Sequence, residues 1–244
     1  MIAAVTPAGC GESERTDTAT PAEWSYTGAD GPSHWGSLDS EYAPCSEGRA
    51  QSPIDLAGSV RGRPPELVID YRSGAAELDN NGHSVEASFD EAGSIELDGR
   101  PYEFAQFHFH APCEHTLDGE HQAAELHFVN EAEDGSLAVI GVLVAEGPEN
   151  RAFGRFLDAA PAAAGETAEA ELEPGALLPR GSSGERWAYD GSLTTPPCSE
   201  GVAWTVLVRP IEVSVQQVAR LTELYSDTAR PVQPLGDREL VRGR

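Results

Sequence analysis

The chain has 244 residues, 39% of them hydrophobic, and its 41 acidic and 16 basic side chains give a formal charge of −25; every base is arginine and lysine is absent. That length supplies one large domain with a substantial core or two small ones, and no apolar run approaches the roughly 18 residues that suggest a membrane span. So acidic a surface repels nucleic acid and anionic membranes, so neither is expected as a partner.

Residues 1–22 differ from the rest. Met1-Ile-Ala-Ala-Val5 is apolar and leads to Pro7-Ala-Gly-Cys10. Small residues before a cysteine are similar to the end of a bacterial lipoprotein signal. On that reading the signal begins upstream, Cys10 is the lipidated first residue and the residues after it are a polar tether. The apolar stretch is shorter than the about 7–15 residues of a signal core and lacks a basic flank, so a disordered tail with an incidental cysteine is the other reading. Residues 23–244 are expected to form one domain, with no repeat or linker inside it.

Residues 67–71 read as a strand, and residues 76–80 follow after a turn. Asn80-Asn-Gly82 suits a further turn, since Asn and Gly tolerate positive φ. His83 taken alone reads as an exposed turn histidine. Residues 88–97 carry the alternation of a hairpin, and Asp98-Gly-Arg-Pro101 turns the chain into its most informative stretch. There Phe104, Gln106, His108 and His110 alternate with Ala105, Phe107 and Phe109, a period of two that favours a strand. A second stretch places Ala123, Glu125, His127 and Val129 on one face. Asp118-Gly119 between them suits a hairpin-like return. Antiparallel pairing in the right register brings three histidines to one point, a zinc ligand set that leaves the fourth tetrahedral position open to water. Gln106 and Glu125 each precede a ligand by two positions on the same face, where each can accept the ring's other N–H. A lone histidine of this kind reads as an ordinary core or surface residue; three of them beside an amide and a carboxylate read as a metal site.

Residues 137–144 form a continuous apolar run, expected as a buried strand, and residues 150–160 read as a short helix. Residues 161–174, rich in Ala and Glu, read as a solvated helix or loop without chemistry. His121 is expected at the surface and Cys113 as a buried, inert thiol. Residues 201–209 read as another buried strand. Ser214-Val-Gln-Gln217 is a capping-box pattern, with Val215, Val218, Leu221 and Tyr225 at helical spacing for core packing.

Taken together, the segments resemble the alpha-class carbonic anhydrases of the bacterial and secreted type. The likeness covers residues 24–235. It rests on Gly31-Pro-Ser-His-Trp35, Gln51-Ser-Pro-Ile54, Asn80-Asn-Gly-His83, the two histidine segments, Glu114-His-Thr116 and Gly191-Ser-Leu-Thr-Thr-Pro-Pro197, all in that family's order. It implies a mainly β single domain with minor α content: a large, twisted, mostly antiparallel central sheet, short peripheral helices, and zinc at the bottom of a cone-shaped cavity. The implied activity is zinc-dependent, reversible hydration of carbon dioxide to bicarbonate and a proton. Zinc hydroxide is the implied nucleophile, and His108, His110 and His127 hold the Zn2+.

By the same resemblance His83 is the proton shuttle, Tyr26 and Asn81 belong to its proton network, and Thr194 orients the nucleophile through Glu114. Val129, Val139, Leu193, Val202 and Trp204 form the implied carbon dioxide pocket, and His34 is structural beneath the cavity. Cys45 and Cys198 are implied to form a disulfide. That pairing and the lipoprotein-like start imply an extracytoplasmic location, periplasmic or secreted, with Cys10 as the candidate anchor. One departure is Glu86, which stands where the family usually has an amide in the cavity. A carboxylate there is expected to raise the pKa of His83 and to reorder the relay waters. Two rivals are an ester hydrolase, expected only as a side activity, and a non-catalytic binding domain, which predicts a lost ligand histidine although all three are present. Monomer and homodimer both stay open. The charge reads either as a plain solvated surface or as adaptation to high salt, which screens self-repulsion.

Overall fold

The structure is a computed structural model that describes residues 22–181 and 184–244. Cys10 and all but the last residue of the expected tether lie outside the described residues. Two single-turn helices, α1 (Trp35–Leu38) and α2 (Pro44–Glu47), come first. The strands β1 (Val60–Arg61), β2 (Leu67–Tyr71), β3 (Gly74–Asn80), β4 (Val85–Ser88), β5 (Gly93–Leu97) and β6 (Arg100–His110) follow. A small hairpin of β7 (Thr116–Leu117) and β8 (Glu120–His121) precedes β9 (Ala124–Glu131) and β10 (Leu137–Glu146). The chain closes with α3 (Arg151–Ala159), β11 (Thr167–Leu172), β12 (Arg186–Ser192), β13 (Glu200–Val213), α4 (Val215–Leu224) and β14 (Val241–Gly243).

Twelve strands make one sheet in the order β1-β14-β12-β13-β10-β9-β6-β4-β3-β11, with β5 pairing both β2 and β6. The sheet is mostly antiparallel, as expected, but mixed: β1/β14 and β10/β13 run parallel. Parallel neighbours need a long crossover, and the chain supplies one between β10 and β13 through α3, β11 and β12. β10 is buried on both faces, which explains its unbroken apolar run. Ala138, Ile140, Val142 and Val144 join one core cluster, while Val139 and Leu143 join a second on the other side. The first cluster is closed by α3, whose Phe153, Phe156 and Leu157 share one helical face. Asn150 starts that helix by accepting from the backbone N–H groups of Ala152 and Phe153.

Four local expectations change. The alternation in residues 88–97 does not make a hairpin of its own; β4 and β5 lie apart, each against a different part of β6. Residues 161–174 contain β11, an edge strand antiparallel to β3. Their Thr-Ala-Glu-Ala-Glu-Leu sequence has a period of two, and edge pairing overrides the helix propensity of Ala and Glu. In α4 the capping box of Ser214 and Gln217 forms as expected, but Val215 is 55% exposed and Gln217 is buried in its place. The Gln217 amide clasps the backbone of Asn150, accepting from its N–H (2.9 Å) and donating to its carbonyl (2.6 Å), and so ties α4 to α3. His34 is exposed, and its contribution to α1 is a backbone carbonyl that accepts from Ser37.

Among the described residues the arginine–carboxylate pairs are Arg61–Glu185, Arg72–Asp70, Arg100–Asp134, Arg220–Asp158 and Arg242–Glu185, with side chains between 28% and 77% exposed. They engage few of the 41 acids, so self-repulsion is left largely uncompensated. Raising KCl from near zero to about 1 M, where the screening length falls to roughly 3 Å, is expected to raise the melting temperature. A flat melting temperature across that series, followed by circular dichroism, would rule out adaptation to salt.

Candidate metal centre

The site is built on the pairing of β6 with β9. His108 lies directly opposite His127 in the antiparallel register, and Phe107 opposite Phe128. Ahead of them the register shifts between Phe104 and Gln106, which leaves Ala105 as a bulge. The bulge reverses the alternation upstream. Phe104 therefore joins Phe107 and Phe109 in the core, 5.9 Å from the Phe128 ring, instead of sharing the face of Gln106 and His108. The return between the strands turns at Asp118 and Gly119, whose φ angles are 52° and 79°, the doubly positive geometry of a tight hairpin.

The register brings His108, His110 and His127 together. Their candidate donor atoms lie within 4.8 Å of one another, and their ring centroids are 4.7–5.3 Å apart. Two of the rings are held by a hydrogen bond through Nδ1, and the third lies against a carboxylate. His108 Nδ1 is 2.8 Å from Gln106 Oε1, and His110 Nδ1 is 2.8 Å from the Thr228 carbonyl. His127 Nε2 is 3.2 Å from Glu125 Oε1. The second nitrogen of each ring is left for an ion, and His110 Nε2 is buried with no hydrogen bond. Burial, with the neighbouring imidazoles, lowers the pKa of His108, and burial lowers that of His127. Burial pushes His110 down to about 4. The rings are thus neutral near pH 7, as metal ligands must be.

Glu125 holds more than His127. Its Oε2 accepts from the N–H groups of Glu114 (3.0 Å) and His115 (2.8 Å), and its Oε1 lies 2.7 Å from His115 Nδ1. Burial alone would raise its pKa, but His115 and His127 outweigh it and hold the carboxyl well below the usual range. His115 continues through Nε2 to the Tyr189 hydroxyl at 2.7 Å, itself 2.9 Å from Ser52 Oγ. Cys113 is fully buried and its Sγ lies 3.1 Å from Glu125 Oε2. Burial and Glu125 raise its pKa, so it stays a thiol and a weak donor.

Glu114 is completely buried. Its Oε1 accepts from Arg230 N–H at 2.8 Å. Its Oε2 closes no hydrogen bond and lies 3.5 Å from His110 Nε2. Burial pushes its pKa up to about 7, against the opposing pull of His127, Arg230 N–H and the Thr194 hydroxyl. Thr194 is buried beside it. Val139, Val202 and Trp204 are buried in one cluster, with Val129 and Leu193 packed against it. The Trp204 ring is 4.9 Å from that of His127.

His83 is half-buried and stacks on Trp24, with centroids 3.7 Å apart and planes at 8°; Tyr26 lies 6.5 Å away. Burial lowers the His83 pKa. The Asn81 side-chain oxygen is committed to the turn, accepting from the N–H groups of His83 and Ser84 at 2.9 Å each. Glu86 lies opposite His108 across β4 and β6, and its carboxylate accepts from Gln106 (2.8 Å) and Ser88 (3.1 Å). Cys45 and Cys198 form a disulfide packed against Trp35 and Tyr42. Sequence reasoning gave no role to Trp24, Thr228, Arg230, His115 or Tyr189. The signal that was available for His115 was its place in the Glu114-His-Thr116 segment.

Residues 30–243 match the family model described as eukaryotic-type carbonic anhydrase. The carbonic anhydrase of Klebsiella pneumoniae is 39% identical over 229 residues, covering 92% of each chain. That of a Nostoc species is 37% identical over 231 residues, covering 91% of this chain and 87% of the other. The alpha-carbonic anhydrase of Thermovibrio ammonificans, solved with the inhibitor sulfanilamide, superposes with a TM-score of 0.86 at 39% identity, covering 90% of this chain and 99% of that one. With its mixed sheet, its three-histidine centre and a match along nearly its whole length, the chain belongs to the alpha, or eukaryotic-type, carbonic anhydrase family.

Proposed function

We propose that the chain catalyses the reversible hydration of carbon dioxide to bicarbonate and a proton, with Zn2+ held by His108, His110 and His127. Family membership supports the reaction. The observation that carries the metal is the buried His110 Nε2, which has no hydrogen-bond partner among three neutral, converging imidazoles. When bound, zinc supplies a water of pKa about 7, its established behaviour in carbonic anhydrases. The protein does the rest. Gln106, the Thr228 carbonyl and Glu125 fix the orientation of the three rings. Glu114, held on Oε1 by Arg230 N–H, is placed to accept a hydrogen bond from the Thr194 hydroxyl. The Thr194 oxygen is then free to accept from the nucleophilic water and to orient it. Val129, Val139, Leu193, Val202 and Trp204 give carbon dioxide an apolar place beside it. Stopped-flow hydration assays with and without a zinc chelator test this reading. Chelation is expected to remove the activity and added zinc to restore it; equal rates in both arms would refute the metal assignment.

His83 is the proposed acceptor of the proton released in each turnover. Because burial lowers its pKa, it is neutral and able to accept at pH 7, and loses that ability as pH falls through its folded value. His83→Ala is expected to lower kcat about 10²-fold. The effect on kcat/KM for carbon dioxide is expected to be small, because the proton leaves after the carbon is attacked. Trp24→Ala exposes the ring, so the acid limb of the kcat profile should move up toward about 6.5. An unchanged kcat in His83→Ala, or an unmoved acid limb in Trp24→Ala, would contradict this role. The Cys45–Cys198 disulfide supports an extracytoplasmic location, periplasmic or secreted. Among the described residues no helix is long and apolar enough to cross a membrane.

A further inference from the structure

We infer that Glu86 is a positioning residue for the metal centre: through Gln106 it fixes the ring of His108 and thereby slows loss of the ion. The inference rests on the zinc reading above and goes beyond it, to a side chain that touches neither ion nor substrate.

The argument begins with the register. On the paired strands Glu86 lies opposite His108 and Ser88 opposite Gln106, so Glu86 and Gln106 are diagonal neighbours on one face. Gln106 Nε2 donates to Glu86 Oε2 at 2.8 Å, and Gln106 Oε1 meets His108 Nδ1 at 2.8 Å. The other Glu86 oxygen accepts from Ser88 Oγ at 3.1 Å. A terminal amide has two nearly equivalent orientations, and its neighbours decide between them. With both oxygens accepting, Glu86 takes only the NH2 end of Gln106. The carbonyl end therefore faces His108, whose Nδ1 must carry the proton and whose Nε2 must present its lone pair to the ion. A neutral amide at position 86 offers donor and acceptor alike and leaves Gln106 free to flip. The negative charge at the end of the chain also polarises the amide toward the imidazole and strengthens it as a ligand. The Glu86 carboxylate is taken up by Gln106 and Ser88, and the His83 ring stacks on Trp24.

The test follows release of zinc from the loaded, full-length protein to a chromogenic chelator, for wild type, Glu86→Ala, Glu86→Gln, Gln106→Ala and the double variant Glu86→Ala/Gln106→Ala. Melting temperatures of the metal-free proteins monitor folding. Glu86→Ala and Glu86→Gln are both expected to release zinc about tenfold faster than wild type. In the Gln106→Ala background, Glu86→Ala should add little, because the path through the amide is already cut. Equal release rates for wild type and both Glu86 variants overturn the inference while leaving the zinc reading intact. So does an effect of Glu86→Ala that is the same size in both backgrounds, which marks a through-space charge effect. A wild type that retains no zinc overturns the underlying reading, and this inference with it.

Discussion

His110→Ala is expected to lower kcat/KM for carbon dioxide hydration by at least about 10³-fold and to leave the chain with little bound zinc. His110 is 1% exposed, and its ring is fixed on one side by the Thr228 carbonyl. Its pKa of about 4 means that protons compete for the ligand nitrogen only in strongly acidic solution. Truncation removes one of three donors, and it also strands the Thr228 carbonyl and empties a packed site, so some loss of stability is expected. His108→Ala separates the two effects, because His108 and its partner Gln106 are both only partly buried. Zinc per chain by atomic emission, melting temperature and stopped-flow rate should be read together. Chelator-stripped wild type should match both variants, and added zinc should rescue only the wild type. Near-normal rates in folded, zinc-free His108→Ala would dismiss the trio as the catalytic centre.

The three histidines were legible because the pattern that carries them is local. A period of two over residues 106–110 and 125–129 places ligands and their acceptors on one face. What failed locally was the extension of that period to Phe104, since nothing in the residue types marks the bulge at Ala105. Other misses share one cause. Thr228 and Arg230 reach the site from about 118 and 116 residues away in sequence, through a backbone carbonyl and a backbone N–H that carry no side-chain signature. Glu86 was expected, from its place in the resembling family's cavity, to raise the pKa of His83, but burial lowers that pKa. The strand instead delivers Glu86 to His108, its cross-strand partner. In residues 161–174 the alternation was present, and composition was given more weight than period. The resemblance implied a large, mostly antiparallel sheet, but the order of its strands and the parallel β10/β13 pair were not read, because period and propensity do not encode which strand lies beside which.

Removing the disulfide with Cys45→Ser and Cys198→Ser is expected to cost about 2–5 kcal/mol of stability, or roughly 5–15 °C in melting temperature for a chain of this size. It should lower activity as well, although neither cysteine touches the histidines. The bridge spans 153 residues, and so long a loop puts the entropic part near the top of that range by the chain model. The effect on activity follows from what the two cysteines hold. The Cys45 carbonyl accepts from Arg230 Nη2 at 2.9 Å, and the Cys198 carbonyl accepts from Gln51 Nε2 at 3.0 Å. Gln51 Oε1 in turn accepts from Arg230 Nη1 at 2.9 Å. Arg230 is 1% exposed, and burial lowers its pKa to about 10. It therefore stays charged at neutral pH, and losing one of its carbonyl partners leaves a buried cation short of an acceptor. Its backbone N–H is the group that fixes Glu114, and Cys198 ends the turn that begins at Thr195, next to Thr194. Freeing the bridge therefore loosens both sides of the Glu114–Thr194 pair, and kcat/KM should fall by about tenfold or more. Wild type treated with a phosphine reductant should reproduce the double variant, and Cys113→Ser should leave the reductant effect unchanged because that thiol is not in the bridge. A reduced wild type with the oxidised melting temperature and full activity would show that packing around Trp35 and Tyr42, and not the covalent bond, holds the Arg230 cluster in place.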